Sequence, residues 1–166
     1  MEDIVVFSGS AHRELAANIC QCARVDLSPV GISRFSNDCL QAQLLVNVRQ
    51  RDVYIVQPLV PPTQDHLMEL LLMVQAAKSA SAAQVTAVIP HYSYARSDKK
   101  DASRISVGGR LVADLLVTAG VDRVLTMQLH SPQVQAFFSV PVDQLTALGV
   151  IADHYRGACE DAVVVS

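Results

Sequence analysis

Residues 94–104, YARSDKKDASR, place Arg96, Asp98, Lys99, Lys100, Asp101 and Arg104 within nine positions of a chain in which only 17% of residues are charged. Arginine and lysine recognise phosphate through charge-assisted hydrogen bonds, arginine often with two parallel N–H donors. A solvated loop whose charges only maintain solubility has the same composition. Position favours phosphate, because the segment follows an apolar run, 85–89, that Pro90 brings to an end.

His130 stands where a second apolar run, 123–127, meets Ser131-Pro132. An imidazole there can bind a nucleotide phosphate, accept a proton or ligate a metal, although a hydrogen-bonded structural histidine is the commoner occupant of such a position. Arg34-Phe35-Ser36-Asn37 joins an aromatic face to an amide, a pair suited to stacking a purine and reading its polar edge. A packed phenylalanine beside a turn asparagine is the alternative.

Other chemistries find no anchor. G-x-x-x-x-G-K-[ST], G-x-G-x-x-G and G-x-S-x-G are all absent, and Gly108-Gly109 fits none of them. Cys20, Cys22, Cys39 and Cys159 form no C-x-x-C pair and have no zinc-ligand spacing, so they read as reduced thiols of a cytoplasmic protein. A net charge of −3 with half the residues apolar argues against both disorder and a broad nucleic-acid footprint. The start MEDIVVFSGS lacks a basic region before its apolar run, unlike a signal peptide. The apolar stretch 70–77 is too short to span a bilayer, so neither a membrane nor a nucleic acid is expected as partner.

The elements that must position these residues alternate. Residues 4–7, 40–46, 53–56, 85–89 and 123–127 read as strands, with a polar turn at 47–52. Leu15, Ile19 and Ala23 share one helical face; Thr63 is predicted to cap a helix carrying Leu67, Leu70, Leu71, Val74 and Ala77. A further helix is predicted over 107–119 with Gly120 just past its end, and Ser131-Pro132 is predicted to open a short one through Phe137. Residues 147–156 read as a helix and 162–165 as a strand. The pattern-free stretch 91–106 is long enough to expect function of it. Alternation of this kind predicts an α/β fold, a parallel sheet with helices on both faces, whose ligands bind beyond the carboxyl ends of the strands.

The segments FSGSAHRELA, RFSND, LMELLLMVQAAKSASAAQVTAVIPHYSYARSDKKDASR, LVADLLVTAGVDRVLTMQLHS and FFSVPVDQL, taken in order, resemble the N-terminal half of ribose-phosphate diphosphokinases. The resemblance runs across nearly the whole chain. It implies a phosphoribosyltransferase-like domain over 1–146, the beginning of a second such domain at 147–166, and assembly into homo-oligomers, commonly hexamers, with ATP between neighbouring subunits. The implied reaction moves the diphosphoryl group of Mg-ATP to the 1-hydroxyl of ribose 5-phosphate, giving phosphoribosyl diphosphate and AMP for nucleotide biosynthesis.

By the same resemblance, Phe35 and Asn37 hold adenine from a neighbouring subunit. Arg96, Ser97, Asp98 and His130 line the ATP and Mg2+ site, with Arg96 and His130 closest to the chemistry. His130, and Gln128 through a water, are the implied metal contacts. Arg49, Lys100, Gln135 and Asp143 match positions associated with regulatory phosphate, although Asn47 and Pro132 replace serines often found there. The family's ribose-phosphate and diphosphate loops lie mainly in the second domain, so the isolated 166-residue chain is expected to be inactive. Three departures each remove a carboxylate: Cys39, Gln128 and Ser139 stand where acids are usual, and Ser97 stands where glutamine is common. Those losses leave open a catalytically silent homologue that regulates or scaffolds active subunits.

Overall fold

Six parallel strands carry the molecule. The computed structural model describes residues 4–157 and Val163. Its strands are β1 (Ile4–Ser8), β2 (Leu27–Ser28), β3 (Val30–Arg34), β4 (Leu40–Leu44), β5 (Asp52–Val56), β6 (Gln84–Ile89), β7 (Arg123–Met127) and β8 (Val142–Leu145). Its helices are α1 (Arg13–Ala23), α2 (Thr63–Ser79), α3 (Gly108–Ala119) and α4 (Leu148–Tyr155), with short 3-10 turns at Ser93–Arg96 and Pro132–Phe137. The main sheet runs β2-β1-β5-β6-β7-β8 with every pairing parallel. β3 and β4 form a separate antiparallel hairpin.

Alternation along each strand sorts side chains onto two covered faces, as the apolar runs require. Val5, Phe7, Val53, Ile55, Val85, Ala87 and Ile89 enter the main core with Leu70, Met73 and Val74 of α2 and Val112 and Leu116 of α3. Val6, Val56 and Val88 face the other way, onto Ala16 and Cys20 of α1. Beside α1 this second face keeps an apolar depression of about 520 Å³, bordered by Val6, Ile19, Val56, Val88, Leu125 and Met127. The α/β expectation, with helices on both faces, is met.

Helix ends bring the differences. Gly120 closes α3 with φ +111, its N–H bonding Leu116 O and Val117 O, and a Cβ there would lie 2.6 Å from Lys78 Cγ. Thr63 was expected to cap α2 but is its first helical residue; the carbonyl of Pro62 accepts the first helical bond, from His66 N at 3.2 Å. Ser131 likewise caps nothing, because its hydroxyl is given to the carboxylate of Asp98, a stronger acceptor than a peptide group. The predicted strand 40–46 ends at Leu44, and β3 and β8 escape prediction because V-G-I-S-R and V-D-Q-L are short and half polar. The predicted strand at 162–165 lies outside the described residues apart from Val163, which is exposed. α4 matches its expected position and buries none of its residues. Among the described residues, no helix is long and apolar enough to cross a membrane.

Candidate functional site

Two loops meet beyond the carboxyl ends of β6 and β7. These ends pair at Ile89 and Thr126, and the Thr126 hydroxyl locks them by donating to Ile89 O at 2.8 Å. Over them opens a cavity of about 410 Å³ bordered by His91, Ser93, Arg96, Gln128, Leu129 and His130. Arg96 sits at the end of the 3-10 turn that follows β6. His130 stands at the mouth of the loop leaving β7. Both are exposed, and neither side chain makes a hydrogen bond to a described residue, so their donors are available to a ligand. A guanidinium and an imidazole converging on one cleft suit an anion.

The loop carrying Arg96 is held from two sides. Asp98 Oδ2 accepts from Ser131 Oγ at 2.6 Å and from Gln133 Nε2 at 3.1 Å, which ties the loop after β6 to the loop after β7. The Ser131 hydroxyl is the main reason the Asp98 carboxyl sits below the ordinary aspartate range; His130 and Lys99 add smaller attractions. Ser97 Oγ accepts from Gly108 N at 2.8 Å and donates to Ser106 O at 3.3 Å, so it serves the start of α3. Glycines at 108 and 109 permit this approach: a Cβ on Gly108 would lie 2.9 Å from Tyr94 Cδ1, and one on Gly109 3.0 Å from Tyr94 O. Asp98 and Ser97 thus hold the loop, and neither borders the cavity.

Gln128 occupies the left-handed region with φ +42, uncommon for a residue with a side chain. Its Oε1 accepts from Thr146 Oγ1 at 2.9 Å, which uses one of the two lone pairs of the oxygen expected to hold a metal-bound water. Among the described residues no group of three or more His, Cys, Asp or Glu could hold a metal ion. Mg2+ demands oxygen ligands, carboxylates above all, whereas the residues bordering this cleft include imidazoles, a guanidinium and an amide but no carboxylate. The residues present do not fit a protein-held Mg2+.

Phe35 and Asn37 lie elsewhere, exposed between β3 and β4. Asn37 Oδ1 accepts from Cys39 N at 3.2 Å in a local turn, and Arg34 donates to Asp38 Oδ1 at 2.6 Å and to Asp65 Oδ2 at 2.7 Å, tying the hairpin to the first turn of α2. Neither Phe35 nor Asn37 borders the Arg96 and His130 cavity of its own chain. The positions associated with regulatory phosphate do not border that cavity either. Arg49 is in the turn before β5 and Lys100 is exposed on the long loop. Gln135 Nε2 donates to Gln144 Oε1 at 3.0 Å, and the Asp143 carboxylate is paired with Arg123.

Sequence reasoning missed a buried polar cluster. The chain leaves β1 for β2 and then places β5 on the opposite side of β1, a reversal that in open α/β sheets marks a ligand crevice. Here Glu69 and Gln57 are both buried, and Glu69 borders a cavity of about 230 Å³ together with Ser10, Arg34 and Asp65. Glu69 Oε1 accepts from Ser10 N at 2.5 Å and Gln57 Nε2 at 2.9 Å, its Oε2 accepts from Ser10 Oγ at 2.7 Å, and Gln57 Oε1 accepts from Ala11 N at 3.2 Å. A carboxylate at the centre repels phosphate, so the open anion cleft is the one over β6 and β7. A lone glutamate within the apolar run L-M-E-L-L-L was the available signal.

Residues 4–120 match the family model described as the N-terminal domain of ribose phosphate pyrophosphokinase. A ribose-phosphate pyrophosphokinase of Deinococcus radiodurans is 55% identical over 159 residues, 96% of this chain and 50% of the relative. A Streptomyces coelicolor protein that carries the same name provisionally is 65% identical over 156 residues, 94% of this chain and 49% of the relative. The crystal structure of phosphoribosylpyrophosphate synthetase from Mycobacterium smegmatis superposes with a TM-score of 0.87 at 39% identity, covering 92% of this chain and 53% of that one. The chain spans about half the length of the curated relatives it matches.

Proposed function

The chain belongs to the ribose-phosphate pyrophosphokinase family, and from that premise we propose that it forms the ATP-side half of an enzyme transferring diphosphate from ATP to ribose 5-phosphate. The reading is carried by the convergence of Arg96 and His130 on one open cleft at adjacent strand ends. In the proposed reaction the 1-hydroxyl of ribose 5-phosphate attacks the β-phosphorus in line and AMP leaves. The protein's work is then alignment and charge neutralisation. The Arg96 guanidinium donates to non-bridging phosphate oxygens, and His130 orients the polyphosphate through its ring N–H. Mg2+ belongs in this proposal with the ATP, as an ion carried by its phosphates.

Adenine contact through Phe35 and Asn37 requires a second copy of the chain, because those residues do not reach the cleft of their own copy. A cytoplasmic homo-oligomer, a hexamer in the family's common form, is the assembly this calls for. We place the domain boundary between β8 and α4, with ribose 5-phosphate gripped by the portion of the relatives that this chain does not span. Cys39, Gln128 and Ser139 stand where the resemblance implies carboxylates, which favours a second reading, a subunit that binds ATP without turning it over.

One assay separates the two. AMP release that depends on ribose 5-phosphate, measured on a longer product carrying this sequence, is expected for the enzyme. ATP binding without such release identifies the silent subunit, and failure to bind ATP rejects both.

A further inference from the structure

We infer that Gln128 turns its amide nitrogen, not its oxygen, toward the cleft and there donates to a phosphate oxygen of a nucleoside polyphosphate, with Thr146 as the positioning residue that fixes the amide. The inference rests on the cleft being a polyphosphate site and assigns a role within it.

The orientation follows from counting protons. Thr146 Oγ1 already accepts from Leu148 N at 3.2 Å, at the start of α4. Its single hydroxyl proton is given to Gln128 Oε1, 2.9 Å away. Turning the amide over would spend both lone pairs of Oγ1 on N–H donors and hand the hydroxyl proton to solvent, giving up the bond to Oε1. The backbone beneath is pinned as well: Gln128 N donates to Leu145 O at 2.9 Å, and φ +42 takes the chain out of strand conformation there. Nε2 makes no hydrogen bond to a described residue, and Gln128 borders the cavity that Arg96 and His130 also border.

That arrangement changes the chemistry of the position. A carboxylate at 128 would serve a cation; an amide held with its N–H groups outward serves an anion, in company with a guanidinium and an imidazole. Gln128 then reads as a residue for phosphate and not for metal, consistent with a cleft border that carries no carboxylate.

The test is calorimetric titration of the full chain with ATP, once with a chelator and once with Mg2+. Gln128→Met is expected to weaken metal-free ATP by about tenfold, the loss of one charge-assisted hydrogen bond. Gln128→Glu should weaken metal-free ATP further and recover in part when Mg2+ is added. Thr146→Val should cost roughly threefold, a fraction of that bond, while Thr146→Ser retains affinity and Thr146→Val adds nothing in the Gln128→Met background. A purely structural role for Thr146 would still register in that double variant and would overturn its assignment. Unchanged affinity in Gln128→Met, or Gln128→Glu tightening Mg-ATP with no loss on metal-free ATP, overturns the donor role alone. No ATP binding by the unaltered chain overturns the reading of the cleft itself.

Discussion

Ser131 Oγ lies 2.6 Å from Asp98 Oδ2, and this bond, with the longer one from Gln133 Nε2, joins the loop that carries Arg96 to the loop that carries His130. Because it lowers the Asp98 pKa in the folded chain, the tie is complete above the ordinary aspartate range and is lost as pH falls through the lowered value. Ser131→Ala should let the carboxyl titrate nearer its ordinary value, followed at the Asp98 side-chain carbon by NMR. A titration that does not move would mean another group holds the carboxylate.

Arg34 bonds Asp65 at 2.7 Å with both side chains substantially exposed, so the pair contributes little to global stability, under about 1 kcal/mol. Its effect is local. Asp65→Ala should leave the unfolding midpoint nearly unchanged while amide exchange across 30–44 accelerates; an unaltered exchange pattern would assign the hairpin's position to its packing on α2 instead.

Gly9 has no room for a side chain. A Cβ there would stand 2.2 Å from Gln57 Oε1 and 2.6 Å from Glu69 Oε1, both buried. Gly9→Ala should therefore cost on the order of 2–4 kcal/mol by breaking a buried polar network, measured by urea denaturation. A cost within a few tenths would mean the network relaxes freely.

Arg96→Ala and His130→Ala should each reduce ATP-dependent turnover of a longer product carrying this sequence by about a hundredfold or more, the scale of removing one donor from a developing charge. Steady-state kinetics read this directly. Normal turnover in both variants would remove them from the site.

The 166-residue chain by itself is expected to release no AMP in response to ribose 5-phosphate. Detectable release, quantified chromatographically against a blank without the sugar, would place ribose 5-phosphate recognition within this half.

The legible features of the sequence were those written in periodicity. α3 up to Gly120 and β7 from Arg123 to Met127 stand where their apolar patterns put them. The two loops that meet over β6 and β7 were legible as well, since patternless polar sequence after an apolar run marks a strand's carboxyl end. Pairings remote in sequence left no such trace. Ser10 and Glu69 are 59 positions apart, and no local pattern announces their bond. Ser97 and Ser131 illustrate a second limit: both are cap formers by type, but Ser97 caps a helix 11 positions away while Ser131 is drawn to a carboxylate. Which end of the Gln128 amide faces outward depends on one hydroxyl of Thr146, 18 positions on, and residue type alone carries no information about it.

The two faces of the sheet are unequally furnished, and the inequality sets the order in which the molecule comes apart. α1 rests on a cluster of five buried residues, whereas α2 and α3 share a core of twenty-one among those described. Heating or denaturant should therefore release α1 before α2 and α3, as a sub-global event. The floor beneath Arg96 and His130 is shored from the opposite side by α2 and α3, so it outlasts that loss. The chain can shed a helix and keep its cleft.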